Sequence, residues 1–235
     1  METPKHLLVV DGDPESRREV AQSLATRGVA CLELGFAREA LESAAENPPA
    51  LVLLEMFLPD ISGLGLCRLF REREDLGSVP LVMVTAYVSE MDRILAFEAG
   101  VDDFVAKPFY PSELAARVHA ILRGAEGGAT LEGWSGRALG GVLSIDPRSR
   151  TARVSGERVR LSTIEFELLA VLAREAGRVL QRRRLIELVW GVQASPGERV
   201  VDSHIKAIRR KLGEAGSLLE TVRGKGYRLS DSPGP

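Results

Sequence analysis

Asp11, Asp13, Glu55, Thr85 and Lys107 stand at or just past the ends of short apolar runs, where charged side chains are placed to bind rather than to pack. Leu7-Leu-Val-Val leads into Asp11-Gly12-Asp13, Leu51-Val-Leu-Leu into Glu55, Leu81-Val-Met-Val into Thr85, and Phe104-Val-Ala into Lys107. Carboxylates, a hydroxyl and an ammonium drawn from separate runs describe one polar pocket, in which Lys107 can pair with Glu55. A second constellation lies between Arg199 and Leu212. Val201, Ile205, Ile208 and Leu212 recur at i, i+4, i+7 and i+11, while Arg199, Ser203, Lys206 and Arg210 repeat that spacing two residues earlier. At about 100° per residue the cationic stripe falls nearly opposite the apolar one. Such a helix can lie in a DNA major groove: Lys and Arg release counterions from phosphates, and Ser203 and His204 reach base edges. A solvated surface helix is the plain alternative. The next segment, Leu219 to Leu229, weighs against it, because strand, Arg223-Gly-Lys225-Gly turn and strand make a hairpin with two cations at its tip. A helix beside a basic hairpin is the arrangement of a winged helix.

The elements that position these groups are legible from periodicity. In the front half, apolar runs near 6–10, 29–34, 51–55, 81–85 and 103–106 alternate with helical patterns near 14–27, 37–46, 62–74, 88–98 and 111–122. Alternation of this kind predicts a parallel sheet covered on both faces, and Val/Leu-rich runs without polar interruption suit strands buried on both sides. Ligands of such sheets bind outside the strand C-termini at the topological switch point, where the five polar residues fall. From Gly124 to Gly141 the chain is Gly-rich and aperiodic, and its first half reads as a linker; Trp134 and Leu139 are expected to pack on the second domain. Val142–Pro147, Thr151–Gly156 and Arg158–Leu161 read as a small antiparallel sheet. Ser162 with Glu165 forms a capping box ahead of Ile164, Leu168 and Leu172, and Leu185 to Trp190 is a shorter helix stopped by Gly191.

Composition agrees with two domains. Residues 1–124 hold 12 Lys+Arg against 20 Asp+Glu, whereas the rest hold 19 against 13, so a formal charge of −2 conceals an acidic front and a basic back. A basic back half faces a polyanion. No apolar run reaches the roughly 18–20 residues of a membrane span, and Met1-Glu-Thr-Pro-Lys5 lacks a signal-peptide pattern. Cys31 and Cys67 lack metal-ligand spacing. The expectation is a cytoplasmic chain with reduced thiols and no membrane contact.

Across almost its whole length the chain resembles the OmpR/PhoB family of response regulators. The receiver resemblance rests on Asp11-Gly-Asp13, Leu51 to Gly63 with its Pro59, Thr85, and Lys107-Pro-Phe109. The effector resemblance rests on Leu161 to Leu169, Val201-Asp-Ser-His-Ile205, Ile208-Arg-Arg-Lys-Leu212 and Glu220 to Arg228. It implies a flavodoxin-like, doubly wound α/β receiver with a five-stranded parallel sheet, followed by an α+β winged helix-turn-helix domain. The expected boundaries are 1–123 for the receiver, 124–136 for the linker and 137–235 for the DNA-binding domain. The resemblance assigns a recognition helix at about 199–212 and a wing at about 221–228, and it places Arg209, Thr221, Arg223, Lys225 and Tyr227 with Arg199, Ser203, His204, Lys206 and Arg210 in the DNA-facing set. Arg223 would reach the minor groove or backbone. Ala207 departs from the family, whose members often carry a base there.

The resemblance also implies promoter DNA, a homodimer, RNA polymerase at the 191–198 loop and a cognate histidine kinase as partners. Arg93, Glu98, Asp102, Asp103, Glu113 and Arg117 match family positions that form ion pairs between subunits; His119 replaces a frequent Lys, and Phe104 matches an aromatic switch residue. Two departures bear on chemistry. Glu55 occupies the position of the phosphate-accepting Asp, and Gly12 that of a metal-ligating acid. Mg²⁺ draws on octahedral oxygen ligation, so its binding is expected to be weak or absent, with Asp13 a displaced substitute. Glu55 sets its carboxylate about one C–C bond deeper, a shift that costs roughly 10²-fold in an aligned reaction. Together they predict a phosphorylation-independent regulator, not an enzyme, in which Glu55 partly mimics a phosphorylated Asp. A conventional phosphorylated regulator, and an interaction adaptor with weak DNA binding, are the competing readings.

Overall fold

The computed structural model describes residues 6–25, 30–125, 134, 136–191 and 197–230. Two compact units result, residues 1–122 and 123–235. In the first, Leu7–Val10 (β1), Leu51–Leu54 (β3) and Leu81–Thr85 (β4) are buried at every residue, as uninterrupted apolar runs require. Cys31–Leu34 (β2) and Asp103–Ala106 (β5) complete a sheet of order β2-β1-β3-β4-β5, parallel throughout. β2 carries Glu33 inside its run, unlike the wholly apolar β1 and β3, and on this edge of the sheet Leu32 and Glu33 are exposed.

Around the sheet run Pro14–Ala25 (α1), Ala37–Glu46 (α2), Gly63–Glu72 (α3), Glu90–Ala99 (α4) and Pro111–Ala125 (α5). Strand order reverses direction at β1, so the C-terminal ends of β1 and β3 open a crevice there. The helix starts are fixed locally. Ser62 caps α3, and Ser89 with Asp92 forms a reciprocal capping box on α4. Gly63 begins α3 so close to β3 that a Cβ would stand 2.2 Å from the Glu55 carbonyl oxygen, which binds that loop tightly beneath the crevice. Asp60 reaches back to accept from the backbone N–H groups of Ala37 and Arg38 at 2.9 and 3.0 Å, capping α2.

The second unit opens with a four-stranded antiparallel sheet of Arg137–Leu139 (β6), Leu143–Asp146 (β7), Thr151–Val154 (β8) and Glu157–Val159 (β9). β6 was not expected as a strand; three residues inside a Gly-rich tract show no period. Helices Thr163–Arg174 (α6), Arg182–Val189 (α7) and Glu198–Leu212 (α8) come next, then a 3₁₀ turn, Gly213–Leu218, and the hairpin Leu219–Val222 (β10) and Gly226–Leu229 (β11). The Ser162–Glu165 capping box starts α6 as read, with Ser162 N–H donating to Glu165 Oε2 at 2.7 Å. Leu168, Leu169 and Leu172 are almost wholly buried, each contributing roughly 1.5–3 kcal/mol of apolar transfer free energy. α5 continues through Ala125, into the expected linker; 126–133 and 135 lie outside the described residues. Met1–Lys5, read for a signal peptide, lie outside them too, whereas Trp134 is half-buried and Leu139 buried. Among the described residues no helix is long and apolar enough to cross a membrane.

Candidate functional site: a receiver pocket and a cationic helix face

The receiver crevice gathers Asp11 from the end of β1, Glu55 from the end of β3, Thr85 from β4 and Lys107 from the end of β5. Lys107 Nζ donates to Asp11 Oδ2 and to Glu55 Oε2, each at 2.7 Å, so one ammonium closes the gap between two strand ends. Asp11 also accepts from Ser16 Oγ at 2.7 Å and from the Asp13 N–H at 2.9 Å, and Glu55 Oε1 takes the Met56 N–H at 2.6 Å. Burial pulls the Lys107 pKa down, but hydrogen bonds and attraction from Asp11 and Glu55 outweigh it and hold the ammonium above its ordinary value. Thr85 is buried and accepts from the Tyr87 N–H at 3.2 Å. One pocket expectation changes. Asp13 is exposed, and its Oδ1 accepts from the N–H groups of Ser16 and Glu15 at 3.0 and 2.8 Å, an N-cap on α1 that lowers its pKa. Ser16, not singled out by sequence, is one of three donors to the Asp11 carboxylate. At Gly12 a Cβ would meet the Pro59 ring at 3.0 Å.

On α8, the buried face holds Val200, Val201, His204, Ile205, Ala207, Ile208 and Leu212. Arg199, Lys206 and Arg210 are exposed and Ser203 partly so, its hydroxyl donating to the Arg199 carbonyl at 3.3 Å. At the hairpin, Thr221, Arg223 and Lys225 are exposed. Three members of the expected DNA-facing set are placed differently. His204 is 2% exposed, its ring 5.8 Å from that of Trp190, so it packs instead of reaching a base. Tyr227 is 4% exposed, with its hydroxyl donating to Asp202. Arg209 donates into the hairpin, to the Leu219 carbonyl and the Thr221 hydroxyl, both at 2.8 Å. The 191–198 loop falls largely at 192–196, outside the described residues.

Comparison with known proteins matches residues 7–119 to the response regulator receiver domain and 156–229 to the C-terminal domain of transcriptional regulatory proteins. Over 230 residues the chain is 36% identical to the phosphate regulon transcriptional regulatory protein PhoB of Pseudomonas aeruginosa, covering 96% of this chain and 97% of that one. The chain belongs to the OmpR/PhoB family of response regulators. It is likewise 39% identical over 229 residues to the transcriptional regulatory protein PrrA of Mycobacterium tuberculosis, covering 97% of each. Identity to the DNA-binding response regulator MtrA of Mycolicibacterium smegmatis is 37% over 227 residues, covering 95% of this chain and 96% of that one. A solved cysteine-to-serine mutant of RitR, 22% identical, superposes with a TM-score of 0.78 over 97% of this chain and 100% of its own, a likeness of fold.

In this response regulator the residues expected between subunits mostly find partners at home. Asp102 is fully buried, accepting from Arg71 at 2.6 Å and from the Leu81 N–H at 2.9 Å, so its carboxylate does not lie on the surface. Asp103 is fully buried against Arg117 at 3.2 Å, and Arg117 also pairs with Glu113 at 2.8 Å. Burial drives the Asp103 pKa up despite the opposing Arg117 charge. Arg93 lies over the Phe104 ring, 5.4 Å from its centroid. Glu98, in the last turn of α4, is exposed. The family resemblance implies Mg²⁺ beside the acceptor position, and the carboxylates nearest it already have partners within the chain. Asp11 Oδ2 and Glu55 Oε2 are bridged by an ammonium, and Asp13 caps a helix. Among the described residues no group of three or more His, Cys, Asp or Glu is placed to hold a metal ion.

Proposed function

We propose that this chain is a promoter-binding transcriptional regulator whose receiver is set without phosphorylation. The observation that carries the reading is the 2.7 Å contact of Lys107 Nζ with both Asp11 and Glu55. Glu55 carries the same single negative charge as an Asp there, and it holds the lysine without the further charge that phosphorylation adds. Its longer stem carries that charge beyond the position of an Asp carboxylate, toward where a phosphoryl group would stand.

Output runs through the second unit. Exposed Arg199, Lys206 and Arg210 on α8, and Arg223 and Lys225 on the hairpin, supply the cations that duplex binding requires, with Ser203 the side chain able to read a base edge. The relatives' names as transcriptional regulators support that direction, as does the basic charge of this half. We read the protein as a homodimer on direct-repeat half-sites that contacts RNA polymerase through the 191–198 loop, with a cognate histidine kinase as the partner that the conventional phosphorylated reading would require. Incubation with acetyl phosphate and Mg²⁺ followed by intact-mass measurement tests the receiver; an unchanged mass is expected, and a stoichiometric adduct on Glu55 returns the protein to conventional phosphorylation. Titration of a labelled duplex at several salt concentrations tests the output. A salt-dependent affinity is expected, and absence of binding would make the chain an interaction adaptor.

A further inference from the structure

Tyr227 belongs to the DNA-facing set by sequence, yet its ring is enclosed by side chains from two helices. The guanidinium carbon of Arg182, on α7, lies 4.9 Å from the ring centroid, and that of Arg209, on α8, lies 5.9 Å away. The Tyr227 hydroxyl donates to Asp202 Oδ1, the oxygen that also accepts from Arg182 Nε at 2.7 Å. Arg182 Nη2 in turn donates to the hydroxyl at 3.3 Å. Arg209 continues the chain of contacts, reaching the Leu219 carbonyl from Nε and Nη2 at 2.8 and 2.5 Å and the Thr221 hydroxyl at 2.8 Å. Thr221 and Tyr227 face each other across the hairpin, so α8 holds both of its strands.

The backbone makes the same attachment. Leu180 and Tyr227 exchange N–H to carbonyl bonds at 2.8 and 3.0 Å, fastening β11 to the segment two residues ahead of α7. Gly226, at φ +150°, permits that approach, since a Cβ there would stand 2.0 Å from the Leu180 carbonyl oxygen. The exposed cations flank the cluster: Lys206 and Arg210 on α8, Arg223 and Lys225 at the hairpin tip. A helix and a wing that meet phosphates together gain affinity when their spacing is fixed beforehand, because ordering a loose wing would cost conformational entropy on binding.

We propose that Tyr227, Asp202, Arg182 and Arg209 form a clamp that presets the distance between the recognition helix and the wing, making them positioning residues for duplex binding. The proposal rests on the DNA-binding reading above. It is tested in the full chain with Tyr227→Phe, which removes the hydroxyl and keeps the ring. Affinity for a labelled duplex of mixed sequence is measured by anisotropy, with Lys225→Ala and Lys206→Ala each introduced into the parent and into Tyr227→Phe. In the parent each lysine truncation should weaken binding about fivefold near 0.15 M salt, the loss of one released counterion. In Tyr227→Phe, the Lys225→Ala cost should fall below about twofold while the Lys206→Ala cost stays near fivefold, because only the wing has come loose. General destabilisation would not change that ratio, and urea unfolding checks for it separately. An equal Lys225→Ala cost in both backgrounds overturns the clamp while leaving DNA binding intact; a parent that binds no duplex overturns the DNA-binding reading and the clamp with it. Should Tyr227→Phe not fold, Asp202→Asn loosens the same contacts and is judged by the same ratio.

Discussion

Lys107 in the receiver is 18% exposed and held by two carboxylates of its own unit, whereas Arg199, Lys206, Arg210, Arg223 and Lys225 in the second unit stand on the surface. Both regions are built from cations at the ends or on the faces of regular elements, and the difference lies in what surrounds them. At the strand ends, burial raises the interaction between an ammonium and its carboxylates and fixes them in one geometry. Along α8 and the hairpin tip, exposure keeps each cation hydrated and able to exchange its counterions for phosphates. A closed pocket stores charge and an open face offers it, and this contrast is why we assign a preset state to the first and a nucleic-acid ligand to the second.

The contrast is broken most easily at the open face. If all five cations meet phosphates, affinity for duplex DNA should fall about 500-fold between roughly 50 and 200 mM salt, as anisotropy titrations would report. A flat salt dependence would mean that the row is only a solvated surface.

Next in size is the closed pocket. Lys107→Met leaves Asp11 and Glu55 buried together without their bridge and should lower receiver stability by about 2–3 kcal/mol, after discounting for partial exposure, as read from urea unfolding. Its pH dependence has a definite sign. The folded pKa of Lys107 is raised, so its contribution is fully present below the unfolded value of about 10.4 and is lost as pH rises through the folded value. The gap between parent and variant should therefore hold between about pH 7 and 9 and narrow in stronger alkali. A gap that vanished near neutrality would contradict the bridge.

Coupling between the two regions is a smaller effect. Glu55→Ala should weaken duplex binding about tenfold if the fixed charge sets the DNA-competent state, within the usual range for linkage between sites. Affinity equal to the parent's would separate the regions. Smallest is Ser162→Ala, which removes half of the α6 capping box and should cost the second unit about 1 kcal/mol while leaving receiver unfolding unchanged.

Sequence made the strands of the receiver legible because β1, β3 and β4 are unbroken apolar runs, and it made α8 legible because its apolar residues recur with helical spacing. Burial of His204 was available to that same reading: it sits at i+3 from Val201 and beside Ile205, inside the apolar stripe. The fates of Tyr227 and Asp102 were not available. Tyr227 is defined by Arg182 and Asp202, and Asp102 by Arg71, partners distant in sequence that only the fold brings near. Residue type marks Asp13 as a candidate ligand just as it marks Asp11. What separates them is that one side chain turns back to cap α1 and the other meets Lys107. β6 escaped because three residues among glycines carry no period.

The receiver's preset charge is tested most directly by intact-mass measurement of the full chain after incubation with acetyl phosphate and Mg²⁺. An unmodified mass, under conditions that phosphorylate an OmpR/PhoB relative with Asp at the corresponding position, is the expected result. A stoichiometric phosphoryl adduct that disappears in Glu55→Gln would contradict it.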